Sequence, residues 1–150
     1  MDSPKSRVST LAGVHTLYLV GLFLGLGASI GVVLAGWLAG TRGGFVVPAG
    51  LAAVIGVLLG LWLSGTAEAV AGGVGGLLGG AGASPLLRGT LTRGGTRGGT
   101  AVLATLVGLA GIALAFIPVV GYLEAIALPV LALLVRRRGG RRYAGLRSLA

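Results

Sequence analysis

Reactive side chains are scarce in this sequence. Its 150 residues contain no cysteine, one histidine and three acidic residues. Without cysteine there is no disulfide and no thiolate ligand, and His15 alone cannot form a metal site or a catalytic triad. Neither a GxxxxGK[ST] phosphate loop nor a strand-flanked GxGxxG occurs. We therefore expect no enzymatic activity, no cofactor and no metal.

Charged residues are scarce as well, and most of the sequence consists of long apolar stretches. Only 10% of residues are charged and the mean hydropathy is +0.99, whereas soluble domains contain about 25% charged residues. Residues 8–41 and 43–67 contain no Asp, Glu, Lys or Arg, and residues 98–135 contain only Glu124. A membrane-spanning helix needs about 20 apolar residues. The sequence therefore predicts an all-α fold, a polytopic transmembrane helix bundle.

Turn residues and isolated charges divide the apolar sequence into five predicted spans. These lie at about residues 17–39, 45–63, 67–87, 101–117 and 119–135, between a polar N-terminal segment at 1–16 and a basic tail at 136–150. The glycine-rich stretch at 67–87 has borderline hydropathy, so a four-span alternative leaves it outside the membrane. Five spans are favoured because the alternative needs a long unstructured connection, which is uncommon in compact proteins.

Two internal repeats support the fifth span. A shift of 25 residues aligns 25–41 with 50–66 and gives 11 identities in 17 positions. A shift of 55 residues aligns 21–59 with 76–114 and gives 16 identities in 39 positions. If the second repeat holds, the glycine-rich stretch corresponds to the first span and crosses the membrane.

The basic residues predict an orientation. Eleven arginines and one lysine give a net charge of +9, and cytoplasmic loops carry the excess of Lys and Arg. With five spans, an outer N-terminus and a cytoplasmic C-terminus put most arginines inside. We expect a multi-pass protein of a prokaryotic cell (plasma) membrane. A cleaved signal peptide is disfavoured, since the first apolar run exceeds the about 7–15 residues of a signal h-region.

Glycine is the most over-represented residue, with 31 in 150 positions against an average of about 7%. Glycines four residues apart share a helix face and let a neighbouring backbone approach, which favours helix association in lipid. Such faces predict packing within one bundle, which is favoured, or docking in a homo-oligomer or larger membrane complex. The predicted helix-packing glycines are Gly21, Gly25, Gly27, Gly31, Gly36, Gly40, Gly56, Gly60, Gly72, Gly76 and Gly80.

Two carboxylates, Glu68 and Glu124, lie within the apolar sequence. Charged groups are costly in a membrane, so these residues are candidate sites for a proton or cation. Both lie near predicted span ends, where water can reach them, and an interfacial position is favoured. The five-span arrangement puts both on the outer side.

Interface anchors are predicted at the span ends. Trp37 and Trp62 match in the 25-residue repeat and end successive spans, as expected for an aromatic belt, with a ligand-stacking site as the minor alternative. Arg136, Arg137 and Arg138 begin the tail, where they anchor the topology and attract anionic lipid head groups. No nucleic-acid partner is expected.

The scarcity of reactive groups beside abundant packing motifs favours one functional class. We expect an integral membrane protein with a structural or accessory role that associates through glycine-rich faces. The alternative is a small permeation protein for an ion, a proton or a small solute, in which the duplicated helices line a path and a glutamate handles the cation.

Overall fold

The computed structural model describes residues 4–41, 43 and 45–143, and it describes the side chains of 13–41, 43, 45–117, 119–135 and 137. These residues form five α-helices joined by short turns, which confirms the all-α prediction. The helices are α1 Pro4–Leu38, α2 Val46–Leu63, α3 Thr66–Thr92, α4 Arg97–Ala115 and α5 Pro118–Tyr143.

The first four helices have the length and composition to cross a membrane, and α5 contains a shorter apolar helix at Val119–Val135. The four-span alternative leaves the glycine-rich stretch at 67–87 outside the membrane. This stretch lies inside α3, which is one of the four helices long and apolar enough to cross a membrane.

Four helices, α1, α3, α4 and α5, are longer than the predicted spans. α1 already begins at Pro4, so the polar segment is helical from that residue, and proline suits a first helical position because its fixed φ fits the helix. α3 continues past Pro85 to Thr92, and α5 continues past residue 135 to Tyr143. Hydropathy locates the apolar part of a helix, whereas backbone hydrogen bonds can extend that helix into polar sequence.

α1 and α3 lie side by side and run in the same direction. Gly27 lies against Gly72 and Gly76, and one turn later Gly31 lies against Gly76 and Gly80. Both helices thus form the centre of the bundle, and α1 contacts all four other helices.

The outer helices alternate in direction around this central pair. Antiparallel contacts join α2 to α3 and α4 to α1, through the pairs Gly56–Gly72, Ala49–Gly80, Gly25–Ala115 and Gly36–Ala104. α5 runs parallel to α1, with Gly121 against Gly21. Successive helices therefore run in opposite directions, as consecutive membrane spans would.

The glycines of α3 form two stripes that face two different helices. Gly72, Gly76 and Gly80 lie against α2, and Gly75 and Gly79 lie against α1. A Cβ atom at any of these five positions would come within 3.0 Å of backbone atoms in the facing helix. Backbone cannot move aside as a flexible side chain can, so these contacts require glycine.

The burial of α3 accounts for its low hydropathy. In α3, 56% of an 18-residue stretch is buried, against 28% in α2. Because α3 presents little surface to lipid, small residues that pack closely serve it better than large apolar ones.

The bundle carries small side chains inside and large ones outside. Among the described residues, the buried apolar side chains other than Phe23, Val32 and Pro48 are all alanines. Large aliphatic side chains such as Leu58, Leu106 and Leu123 are exposed. In water this arrangement would be unfavourable, whereas lipid solvates the outer aliphatic surface.

A two-residue connection, Ser64–Gly65, joins α2 to α3. Gly65 has φ of 154°, a backbone conformation that residues with a Cβ atom rarely adopt. The N–H groups of both residues donate to the Gly60 carbonyl oxygen, at 3.0 and 2.9 Å. This tight turn holds the start of α3 against the end of α2.

Gly56 and Gly50 offer a matched test of the packing role within α2. Gly56 lies against the backbone of Gly72, whereas Gly50 is exposed and has nothing within 4 Å of its Cβ position. We expect Gly56→Ala to lower the free energy of unfolding by about 1–3 kcal/mol through overpacking. Gly50→Ala should be neutral or slightly stabilising, because alanine favours helix. Unfolding in mixed micelles, followed by circular dichroism, measures both values, and equal effects would contradict the assigned contacts.

Candidate functional site

Glu124 and Ser29 meet where α1, α4 and α5 join. Glu124 lies in the second turn of α5, and Ser29 is fully buried in the C-terminal half of α1. The Ser29 hydroxyl donates a hydrogen bond of 2.8 Å to Oε1 of Glu124. It is a direct side-chain contact between two different helices, and it places a carboxyl group inside the bundle.

Gly111 of α4 makes room for this pair. A Cβ atom at position 111 would overlap both Oε1 of Glu124 and Oγ of Ser29. Glycine therefore lets α4 pack over the hydrogen bond without displacing either group.

The second carboxyl oxygen of Glu124 lacks a hydrogen-bond donor among the described residues. Oε2 is buried and, within the described part of the chain, has no hydrogen-bond partner. An uncompensated carboxylate in apolar surroundings costs free energy. Oε2 therefore leaves the junction with an unsatisfied hydrogen-bond acceptor.

The arginines with described side chains lie at the other end of the bundle. Arg88 and Arg97 donate to carbonyl oxygens beyond the C-terminal end of α1, at Thr41 (3.0 Å) and Gly40 (3.4 Å). Positive charge is favourable there because the carbonyl groups at a helix C-terminus carry partial negative charge. The sequence had indicated neither interaction.

An apolar groove runs beside the carboxyl group, between α4 and α5. Its volume is about 380 Å³, and Glu124 is the one charged side chain among the described residues that line it. The remaining lining residues are Val32, Val107, Ala110, Gly111, Leu114, Val120, Leu123, Ala127 and Leu128. Val107, Leu114 and Leu123 are exposed on the outer surface, so the groove is open towards lipid.

Glu68 occupies a different interface. It lies in the first turn of α3, is 8% exposed, and its backbone lies against Gly60 of α2. A carboxylate is favourable at this position because the helix N-terminus carries partial positive charge. Glu68 and Glu124 lie near the starts of two parallel helices, but the described contacts do not bring them to one site.

The carboxyl group of Glu124 lies between helices, and its interfacial position in the membrane stays a prediction. Oε2 is buried and Oε1 accepts from Ser29, so the carboxyl group is turned into the helix junction. The sequence missed Ser29 and Gly111 as partners. The signal for Gly111 was present, since Thr100, Ala104, Gly108, Gly111 and Ala115 form a face of small residues that α4 buries.

The predicted packing glycines lie at contacts within the chain. Gly27 and Gly31 face α3, as do Gly56 and Gly60. The predicted glycines Gly21, Gly25 and Gly36 of α1 lie against α4 or α5, and Gly40, which follows α1, lies against the side chain of Arg97.

The predicted interface anchors whose side chains the structure describes lie on the outer surface of the bundle. Trp37 and Trp62 are exposed near the ends of antiparallel α1 and α2, and Trp37 Nε1 donates to Oγ1 of Thr105 at 3.1 Å. Arg137 is exposed. The side chains of Arg136 and Arg138 lie outside the described residues.

A double-mutant cycle tests the coupling of Ser29 to Glu124. We expect Ser29→Ala to lower the free energy of unfolding by about 1 kcal/mol or more when Glu124 is present, and by much less in a Glu124→Met background. Glu124→Met alone should be stabilising, because it removes a buried oxygen without a partner.

Ser84 is the matched control for this cycle. It is also fully buried but donates to the Gly80 carbonyl oxygen of its own helix. Ser84→Ala should cost the same with or without Glu124, and identical behaviour of the two serines would rule out the coupling.

No protein-family model, curated protein or solved structure matches this chain. Its function is therefore inferred from its own residues and their geometry.

Proposed function

We propose that this chain is a structural or accessory protein of a prokaryotic cell membrane, which associates with copies of itself or with a larger complex. The observation that carries this proposal is the backbone contact of α3 with α1 and α2. Three helices in such contact form a rigid unit with no open path between them. Such a unit suits a scaffold better than a conduit.

Association would use the outer aliphatic faces. The paired glycines already face other helices of the same chain. α2 is peripheral and exposes Leu51, Val54, Leu58 and Leu61, which makes its outer face available to a partner. This revises the expectation that glycine faces join the copies.

The proposed orientation puts the C-terminal end of α5 in the cytoplasm. Arg88, Arg93, Arg97 and Arg137 gather at the end of the bundle where α1, α3 and α5 finish. Cytoplasmic ends carry the excess of basic residues. Anionic lipid head groups there would attract each exposed arginine by about 1 kcal/mol.

No catalytic role is part of this proposal. Among the described residues, Glu68 and Glu124 lie at different helix interfaces, and His15 is exposed on the N-terminal part of α1. General acid–base chemistry needs such groups to converge.

Single cysteines test the accessory role, since the natural chain contains none. We expect Leu58→Cys, on the exposed face of α2, to form disulfide-linked dimers or adducts with a partner in native membranes. Ala52→Cys, which is buried against α3, is the control and should not crosslink. Native mass spectrometry in mild detergent supplies the second readout. A strictly monomeric protein with no co-purifying partner would contradict the proposal.

A small permeation protein is the second candidate, and the Ser29–Glu124 pair is the observation that favours it. The closed contacts of α3 leave the junction of α1, α4 and α5 as the place where an ion or proton could be handled.

Flux through proteoliposomes tests this candidate. If permeation occurs at Glu124, Glu124→Gln should abolish proton or cation flux, whereas Glu68→Gln should leave it unchanged. Absence of flux in the wild type, or equal flux in both variants, would remove this candidate.

A further inference from the structure

We propose that the groove between α4 and α5 binds a membrane-soluble amphiphile with a primary ammonium head, which pairs with Glu124. This inference is independent of the accessory and permeation roles, because it requires binding alone.

The dimensions of the groove suit a small molecule. Its volume of about 380 Å³ falls within the range of about 300–1,000 Å³ that is usual for ligand sites. α4 packs mainly against α1, α5 packs against α1 and α3, and α4 and α5 contact each other little. Exposed Leu114 and Leu123 border the opening, so a ligand dissolved in lipid can enter sideways.

The chemistry of the carboxyl group identifies the head. The Ser29 hydroxyl has one proton, which it donates to Oε1, and Oε2 has no donor among the described residues. An ammonium group has three donors and a positive charge. Glu124 lines the groove, so an ammonium group held there places beside the carboxyl group the positive charge that the described side chains do not supply.

The direction of the groove identifies the tail. Glu124 lies six residues after Pro118, or about 9 Å along the helix. Val107 and Leu128 line the groove about one turn further from the α4–α5 turn than Gly111 and Glu124. An alkyl chain can therefore extend from the carboxyl group towards the bilayer centre.

The charges also exclude a phospholipid head group as the preferred occupant. A phosphate beside the amine would bring a negative charge next to Glu124. The arginines with described side chains, which could compensate it, lie at the opposite end of the bundle. A simple alkylamine avoids this repulsion.

Photolabelling of the full chain in phosphatidylcholine nanodiscs tests the proposal. The probe is a dodecylamine that carries a diazirine on its alkyl chain, and labelled peptides are mapped by mass spectrometry. We expect labels on the α4 and α5 residues that line the groove. Unlabelled dodecylamine should compete, whereas dodecanol, which has the same chain without the charge, should not.

Two variants test the contributions of the ligand's head group and alkyl tail separately. Glu124→Gln should lower labelling by about tenfold, as expected when the charge that pairs with the ammonium head is removed, and Glu68→Gln should leave it unchanged. Ala127→Phe fills the groove and keeps the carboxyl group, so it should also abolish labelling. Circular dichroism verifies folding, and the groove-filling variant remains a test if Glu124→Gln does not fold.

Three outcomes would overturn the proposal. Equal labelling of wild type and Glu124→Gln would show that the carboxyl group does not select the ligand. Equal competition by dodecanol would show apolar partition only. Competition by phosphatidylethanolamine at the same concentration as dodecylamine would assign the groove to a bilayer lipid instead.

Discussion

Backbone contact between α3 and its two neighbours is the constraint on which the rest of this bundle depends. Helices in lipid gain no hydrophobic free energy by associating, so close packing must hold them together. The Gly72 carbonyl oxygen occupies the space that a Cβ atom of Gly27 or of Gly56 would need. One peptide group of α3 is thus held between α1 and α2. Helices at this distance have many atoms in van der Waals contact, each worth little but large in sum.

This constraint explains the distribution of side chains. Because the interior is filled by backbone and by glycine and alanine, the large aliphatic residues lie outside, where lipid solvates them. It also explains why α3 has the lowest hydropathy of the four helices long enough to span a membrane, since α3 exposes few residues to lipid. The contact of Ser29 with Glu124 joins polar side chains of two helices in this mostly apolar interior. Natural proteins keep such costly groups mainly where function needs them.

Sequence patterns predicted much of the fold and only part of the candidate site. Glycines four residues apart predicted contact faces on α1, α2 and α3, because residues at that spacing share one side of a helix. The pattern could not tell which helices would meet. Glu124 was identified from its rarity in apolar sequence, but its environment was not. Ser29 is 95 residues away along the chain, and no local pattern links positions at that separation.

Composition and hydrophobic run length were sufficient to assign an all-helical membrane protein, because bilayer thickness and backbone hydrogen bonding leave an apolar chain few alternatives. The scarcity of cysteine, histidine and acidic residues likewise limits the chemistry that the chain can support, whatever its fold. Tertiary packing decided the rest. It placed the glycine-rich segment at the centre of the bundle, and it brought the paired glycines into contacts between helices of the same chain. It also oriented the carboxyl group of Glu124 towards the junction of three helices, beside an open groove. These outcomes depend on contacts between distant segments, which only the assembled bundle specifies.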